Sequence, residues 1–230
     1  MSEKEGDSVT LYEPDEMIII VKPEITLAEL DRTLNDDGQW IATLLPDERE
    51  EVRLGDALAH NSYHPRARFG SPLATSVLGG TFQTHSGEIF KSGSRVVKSV
   101  AGYDTHRAFV GSEGRLFKPL ELTLKVMPRP KEFLRFTAPL SMRTKLMQRQ
   151  PTIVEEWNGE FVIEFAGQHE DMADDRAWLA SEGLAHSEIT DGWGELIRKI
   201  SHERDTAMRA QAIDPKALQL LEQLRERINS

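Results

Sequence analysis

A glycine-rich stretch from Gly87 to Pro130 holds the residue types in this 230-residue chain that could bind a cofactor. Two basic side chains, Arg95 and Lys98, precede a Gly-Tyr-Asp turn at 102–104, and a Gly-Ser-Glu-Gly loop follows at 111–114. Basic side chains hold phosphates and carboxylates through charge-assisted hydrogen bonds, and glycine-rich loops turn backbone amides toward anions. The stretch therefore predicts a site for an anion or a nucleotide, although it identifies no catalytic residue.

Each of these side chains also has a purely structural interpretation. Tyr103 could be a buried packing residue, Asp104 could cap a helix that begins at Thr105, and the two basic residues could be solvated. For any one of these side chains taken alone, the structural interpretation is favoured.

Other kinds of site are not indicated. The chain has no cysteine, which excludes disulfides, cysteine-ligated clusters and a cysteine nucleophile within it. The seven histidines show no established metal-binding motif. His60 and His64 are four residues apart, but they lie in a loop-like stretch before a proline, and we predict no metal site. The formal net charge of −10 argues against nucleic-acid binding. No transmembrane run or secretory signal is visible, so we expect a cytoplasmic protein.

The elements of the first half position the glycine-rich stretch. The first 14 residues are expected to be a polar lead, and the apolar run Met17–Val21 predicts a buried strand. Thr26 and Glu29 form a capping box at the start of a helix. A hairpin of strands at 77–84 and 88–91 follows, and the alternation at 121–127 is typical of a half-buried strand. The apolar face of the capped helix would be Leu27, Leu30 and Leu34.

The second half has the element order of a ferredoxin-like unit. A strand at 132–138, a helix at 140–149, a hairpin at 152–165, a helix at 171–182 and a strand at 184–188 give βαββαβ. Asn158-Gly159 is the hairpin turn. A helix is predicted at 194–203, and Asp214-Pro215 begins a C-terminal helix whose leucine stripe indicates core packing or a partner-binding face. The fold class is α+β, with domains at 1–130 and 131–230.

Three motifs of the first half resemble those of a known family. RVVKSVAGYD at 95–104, FVGSEG at 109–114 and a strand ending in MPRP at 127–130 resemble the FAD-binding domain of PCMH-type FAD-linked oxidases. The similar subgroup is the FAD-binding subunit of glycolate oxidase, with the D-lactate dehydrogenases as kin. The resemblance implies that 1–130 is the C-terminal part of an FAD-binding domain. It also implies that 131–230 is a cap-like α+β domain with a C-terminal helix.

The resemblance also implies which residues lie against FAD. A family segment of pattern P…TLGG…A…G…R…GS can be placed on 46–71, where Gly55 and Asp56 correspond to the glycine pair. In the alternative interpretation, Gly55 only ends a loop and Asp56 caps a short helix at 57–60. The implied cofactor-binding residues are Pro46, Leu54, Gly55, Asn61, Gly70, Ser71, Lys98, Gly102, Tyr103, Gly111, Ser112 and Gly114.

The chain departs from the family pattern in ways that bear on FAD. Asp56 replaces a glycine, and its charge would repel a pyrophosphate unless it is paired or points away. Arg115 and Phe117 replace small residues that let the family's loop lie against the adenosine part of FAD. The RGGGT-like pyrophosphate loop of the family does not occur in the sequence, so we expect the N-terminal half of the FAD domain to be absent.

Two functions follow from the resemblance. The first is an FAD-binding oxidoreductase subunit acting on a 2-hydroxy acid such as glycolate or D-lactate, with the flavin carrying the redox step. Its partners would be the flavoprotein and iron–sulfur subunits of a glycolate oxidase-like complex, which could hold it at the inner face of the membrane. The second is a degenerate subunit that has lost FAD and serves a flavoprotein as a structural or regulatory partner. The sequence alone does not decide whether this chain is an enzyme.

Overall fold

The computed structural model describes residues 8–42, 51–61, 72–93, 105–184, 189, 192–210 and 223. The chain forms two compact units, which we describe separately. The first comprises Met1–Ser62, Pro72–Pro128 and Arg209–Ser230, and the second comprises Tyr63–Ser71 and Arg129–Met208. Both contain antiparallel sheets packed with helices, which confirms the predicted α+β class. Within the described ranges, no helix is long and apolar enough to cross a membrane.

The first unit is built on a five-stranded antiparallel sheet in the order β1-β2-β6-β4-β5, beside a two-stranded sheet of β3 and β7. Its elements are β1 (Val9–Glu13), β2 (Ile18–Val21), α1 (Leu27–Asn35), β3 (Gln39–Trp40), α2 (Leu54–His60), α3 (Pro72–Ser76), β4 (Val77–Thr84), β5 (Ile89–Gly93), a 3₁₀ turn (Thr105–Ala108), β6 (Phe117–Lys125) and β7 (Met127–Pro128). All four residues of β2 are buried, as its apolar run predicts. The expectation of a polar lead before it was wrong, because β1 pairs with β2 and buries Val9 and Tyr12.

The capping box at the start of α1 is confirmed. The Thr26 hydroxyl accepts a hydrogen bond of 3.1 Å from the amide of Glu29. The predicted apolar face is also confirmed, because Leu27, Leu30 and Leu34 are buried against the core of the unit.

The exit from β5 is fixed by two glycines. Gly79 of β4 and Gly93 of β5 are cross-strand partners. A Cβ atom on Gly93 would overlap the backbone at Leu78 and Gly79, and a Cβ on Gly79 would overlap the carbonyl oxygen of Ser92. Gly93 also has a φ of +79°, a conformation that L side chains rarely adopt. The direction in which the chain leaves this hairpin is therefore set by backbone contact.

The second unit contains a three-stranded sheet in the order β8-β10-β9, with β10 antiparallel to both neighbours. Its elements are β8 (Glu132–Pro139), a 3₁₀ turn (Leu140–Met142), α4 (Arg143–Gln148), β9 (Ile153–Trp157), β10 (Glu160–Gly167), α5 (His169–Ser181) and α6 (Trp193–Ala210). Both residues of the β9–β10 turn, Asn158 and Gly159, have positive φ, as the Asn-Gly signal predicts.

The order of these elements agrees with the predicted split β-α-β arrangement, because β8 and β9 run parallel with β10 between them. At the other edge of β8, the amide of Ile189 donates to the carbonyl of Arg135 at 2.6 Å, where a fourth strand would pair. Most of the fourth strand predicted at 184–188 and the C-terminal helix predicted from Asp214 lie outside the described residues.

Candidate functional site

A cleft of about 240 Å³ opens in the first unit, beside the first turn of α2 and the end of the loop 109–114. Two of the glycines predicted to contact a cofactor, Gly55 and Gly114, line it together although they are far apart in sequence. Its apolar lining includes Pro23, Phe109 and Pro119, and its charged lining consists of Glu24, Arg53, Asp56 and Lys118. Sequence reasoning did not identify Arg53 and Lys118 as site residues, because the cleft is formed by segments that are far apart in sequence.

Helix α2 is anchored by its own first amides. The amide of Leu54 donates to the carbonyl of Ile25 at 2.9 Å, and the amide of Gly55 donates to that of Pro23 at 2.8 Å. A Cβ atom on Gly55 would lie 2.9 Å from the Pro23 Cβ, so this glycine allows the helix to approach residue 23. Leu54 is fully buried in the core. Both positions thus have a structural role, and their contact with a cofactor stays a prediction.

The beginning of α2 differs from the interpretation in which Asp56 caps a short helix at 57–60. The helix starts at Leu54 with Arg53 as its N-cap, three residues earlier than the helix at 57–60. Asp56 therefore lies within the first turn, where a carboxylate is favoured by the helix dipole, and it does not cap the helix.

The loop 109–114 caps the C-terminal end of α2. The amide of Gly111 donates to the carbonyl of Leu58 at 3.0 Å, and the amide of Glu113 donates to that of Ala59 at 2.9 Å. These bonds satisfy carbonyls that the last turn of a helix leaves without partners. Asn61 ends the helix in the left-handed conformation, with a φ of 44°. Two amides that the sequence predicted to face an anion are therefore bonded to α2.

Two other polar groups of this loop have no hydrogen-bond partner in the part of the chain that the structure describes. They are the amide of Gly114 and the buried hydroxyl of Ser112. A buried polar group without a partner carries a free-energy cost, which a ligand could relieve. Gly111 and Gly114 have φ values of +74° and +71°, which explains why glycine stands at both positions.

Arg115 and Phe117 follow this loop at positions where the family pattern has small residues. Neither side chain lines the cleft. Phe117 is fully buried, and its ring lies 5.1 Å from that of Phe82 and 5.2 Å from that of Phe90. Arg115 is exposed and forms a 2.6 Å ion pair with Glu113. The residues that depart from the family pattern at 115 and 117 are thus accommodated by the solvent and by the core.

The remaining predicted cofactor residues, Pro46, Gly70, Ser71, Lys98, Gly102 and Tyr103, lie outside the described residues. The structure does show how the chain is held on either side of 94–104. The Ser92 hydroxyl accepts hydrogen bonds from the His106 amide at 3.0 Å and from the Thr105 hydroxyl at 2.8 Å. A 3₁₀ turn begins at Thr105, the residue at which the structural interpretation of this stretch predicted the start of a helix. Sequence reasoning missed the role of Ser92.

The chain is similar to several curated proteins. Over 147 residues the chain is 32% identical to glycolate oxidase subunit GlcE of Escherichia coli K12, covering 64% of this chain and 40% of GlcE. It is 28% identical over 148 residues to an uncharacterized FAD-linked oxidoreductase of Mycobacterium tuberculosis, covering 64% of this chain and 32% of that protein. The chain is therefore similar to FAD-linked oxidases over 64% of its own length. No family model matches it.

Other proteins similar to this chain are of the same kind. A D-lactate dehydrogenase of Anaerostipes hadrus is 30% identical over 129 residues, covering 56% of this chain and 26% of that enzyme. The fold resembles that of alkyldihydroxyacetonephosphate synthase with a TM-score of 0.62 and 16% identity, covering 86% of this chain and 44% of the synthase. That likeness concerns the fold alone, and it confirms the fold expected of the family. The chain spans less than half the length of these relatives.

The described residues that line the cleft fit part of an FAD molecule. Pockets for complete drug-sized ligands measure roughly 300–1,000 Å³. The cleft, at about 240 Å³, is therefore suited to a portion of a dinucleotide. Arg53, Lys118 and the amide of Gly114 are donors suited to phosphate or ribose oxygens, whereas Glu24 and Asp56 oppose a phosphate. The lining is thus balanced in charge, and the described amides do not form a complete pyrophosphate cradle.

Among the described residues, no metal site competes with this cleft. Within the described ranges, no group of three or more histidine, cysteine, aspartate or glutamate side chains is arranged to hold a metal ion. His60 is exposed, and its Nδ1 lies 2.9 Å from the carbonyl of Asp56 in the same helix. The cleft is the best-supported candidate site in the described part of the first unit.

Proposed function

We propose that this chain is an FAD-binding subunit of an oxidoreductase that acts on a small 2-hydroxy acid such as glycolate or D-lactate. The similarity to glycolate oxidase subunit GlcE over 147 residues is the observation that carries the proposal. The D-lactate dehydrogenase among the relatives supports the same class of substrate.

In this function FAD supplies the redox chemistry when bound, and the chain contributes binding and orientation. The amide of Gly114, the guanidinium of Arg53 and the ammonium of Lys118 would hold part of the cofactor in the cleft. Gly111 and Glu113 act indirectly, since their amides fix the end of α2 and thereby the position of Gly55. The predicted contacts of the other cofactor residues belong to the same proposal.

The proposal includes partner chains. Since the described residues do not complete a pyrophosphate cradle, the remaining donors would come from residues outside the described ranges or from a partner. The names GlcE and GlcD among the relatives support the subunits of a glycolate oxidase-like complex, with its flavoprotein and iron–sulfur chains, as those partners. Such a complex would hold this chain at the inner face of the membrane.

A flavin-free structural or regulatory subunit is the second candidate. This candidate is favoured because the amides of Gly55, Gly111 and Glu113 donate to carbonyls of the chain itself and are therefore not available to a cofactor. The carboxylate of Asp56 in the cleft lining also favours a flavin-free subunit, because a negative charge there disfavours a phosphate.

An FAD titration of the purified chain, followed by desalting and an absorption spectrum, separates the two candidates. We expect retained flavin bands and roughly fivefold tighter binding in Asp56→Asn, since removing a like charge near a phosphate changes its free energy by about 1 kcal/mol. Lys118→Glu should weaken binding by a similar factor. Glu88→Gln, an exposed change in the β4–β5 turn, is the matched control. A colourless protein whose variants behave alike would favour the flavin-free subunit.

A further inference from the structure

The sheet of the second unit carries charged side chains among apolar ones on the face opposite its apolar core. Arg135 of β8 and Glu164 of β10 are directly opposite each other in the strand register. Helix α6 covers this face. The ring of Trp193 contacts the Arg135 guanidinium, and Arg204 pairs with the buried Glu155 of β9 at 3.5 Å. The carboxylates of Glu155 and Glu164 are thus buried on the face that α6 covers, while their arginine partners stay partly exposed.

The guanidinium of Arg135 is held by three groups. Its Cζ lies 4.9 Å from the centre of the Phe133 ring and 5.2 Å from that of the Trp193 ring. Its Nε donates to the Glu164 carboxylate at 3.1 Å, and Glu164 is fully buried. Two rings and a buried carboxylate therefore fix the plane of this cation, which lowers the entropy cost of binding a further group.

The terminal nitrogens of the same guanidinium are unused. Nη1 and Nη2 of Arg135 have no hydrogen-bond partner among the residues that the structure describes, and 32% of the side chain is exposed. These two nitrogens form a planar fork that matches the two oxygens of a carboxylate. In the same cluster, the buried indole Nε1 of Trp193 also has no acceptor in the described structure.

We propose that Arg135 binds the carboxylate of a small organic acid through Nη1 and Nη2, at a site distinct from the cleft of the first unit. Because Glu164 already occupies the Nε edge, its negative charge weakens the site, and dissociation constants fall in the millimolar range. Because the Trp193 ring lies 5.2 Å from the guanidinium carbon, a bound acid also changes the environment of its indole. This site requires no flavin, so it can be present whether or not the proposed oxidoreductase function is correct.

The test is a ¹H–¹⁵N NMR titration of the whole chain with sodium acetate and sodium glycolate, against sodium chloride at the same ionic strength. The chain has four tryptophans, so its indole signals are readily separated. We expect one indole signal and one arginine Nε signal to shift saturably with either acid and not with chloride. Loss of that indole signal in Trp193→Phe identifies it.

Three variants make the test specific. Arg135→Lys keeps a cation beside the buried Glu164 but removes the fork, so binding should weaken roughly tenfold. Glu164→Gln removes the competing charge, so binding should become several-fold tighter. Arg149→Lys is the matched control, because Arg149 also lies on a tryptophan ring, 5.2 Å from the centre of Trp178, and pairs with Asp175 at 3.4 Å.

Circular dichroism establishes that each variant is folded before it is titrated. Equal shifts with chloride, no saturable shift with either acid, or unchanged binding in Arg135→Lys would overturn the proposal. So would an equal loss of binding in Arg149→Lys, since the site would then reflect any stacked arginine.

Discussion

Phe117 stands where the family has a glycine, and its ring belongs to the core of the first unit. It contacts Phe82, Phe90 and Phe109, with ring centres 5.1, 5.2 and 6.2 Å away. Aromatic rings in such edge-on and stacked contacts contribute to stability beyond the area they bury. The substitution at this position therefore joins β4, β5 and β6 through packing, and it leaves the cleft open.

We predict that Phe117→Ala lowers the free energy of unfolding by about 3–5 kcal/mol, because it leaves a cavity among three rings. Chemical denaturation followed by fluorescence measures this change. Ile89→Ala is the control in the same sheet, since 62% of Ile89 is exposed and little should be lost. A loss in Phe117→Ala no larger than in the control would show that the cluster is not tightly packed.

At the scale of elements, local signals predicted the structure where the decisive contacts are local. The Thr26 capping box and the Asn158-Gly159 turn were identified correctly because each involves residues within a few positions of one another. The strand β1 was missed although Val9–Glu13 is rich in strand-forming residues, because the polar residues around it led to its interpretation as a polar lead. The two-residue strands β3 and β7 carry no local signal, since Gln39 and Pro128 pair across the length of the unit.

The same distinction applies to the candidate site. Gly55 and Gly114 were identified through motifs, and the structure places both at the cleft. The bonds from the 109–114 loop to α2 could not be predicted, because they join segments about 50 residues apart. Arg53 and Lys118 were missed for the same reason. A charged residue on a helix end or a strand looks solvated until the fold brings its neighbours together.

One ion-pair cluster connects β8 to α5. Glu132 accepts hydrogen bonds from Arg176 at 2.6 Å and from His169. The hydrogen bond from Arg176, followed by that from His169, holds the pKa of the Glu132 carboxyl below its usual value of 4.5. An acid whose pKa is lowered in the folded state stabilises that state above its unfolded pKa, and this contribution is lost as the pH falls through the folded value.

We predict that Glu132→Gln removes this part of the acid sensitivity. The thermal midpoint of the parent chain should fall more steeply than that of the variant as the pH decreases below about 4.5. High salt should reduce the difference, since the His169 and Arg176 side chains are largely exposed to solvent. Glu160→Gln serves as a control, because this exposed glutamate on β10 has no ion-pair partner within the described ranges. Parallel profiles for all three chains would contradict the assignment.

At the scale of the whole molecule, each unit has a hydrophobic cluster of its own. The cluster of the first unit is formed by β1, β2, α1, α2, β4 and β6. That of the second is formed by one face of the β8-β10-β9 sheet with α4 and α5, and includes Phe136, Phe161 and Leu146. A domain that buries its own apolar residues can in principle fold alone. The division at Pro130 that the sequence predicts is open to a direct test on this basis.

We predict that a fragment of residues 129–210 folds and unfolds cooperatively on heating, because it contains every strand of its sheet that the structure describes and both helices of its cluster. Circular dichroism at several wavelengths gives coincident transitions for a cooperative unit. A fragment of residues 140–210 is the control. It lacks β8, and with it Leu134, Phe136 and Ala138 of the cluster, so it should not unfold cooperatively. If the longer fragment melts as gradually as the control, the second half of the chain is not an autonomous domain, and its stability depends on residues before Arg129.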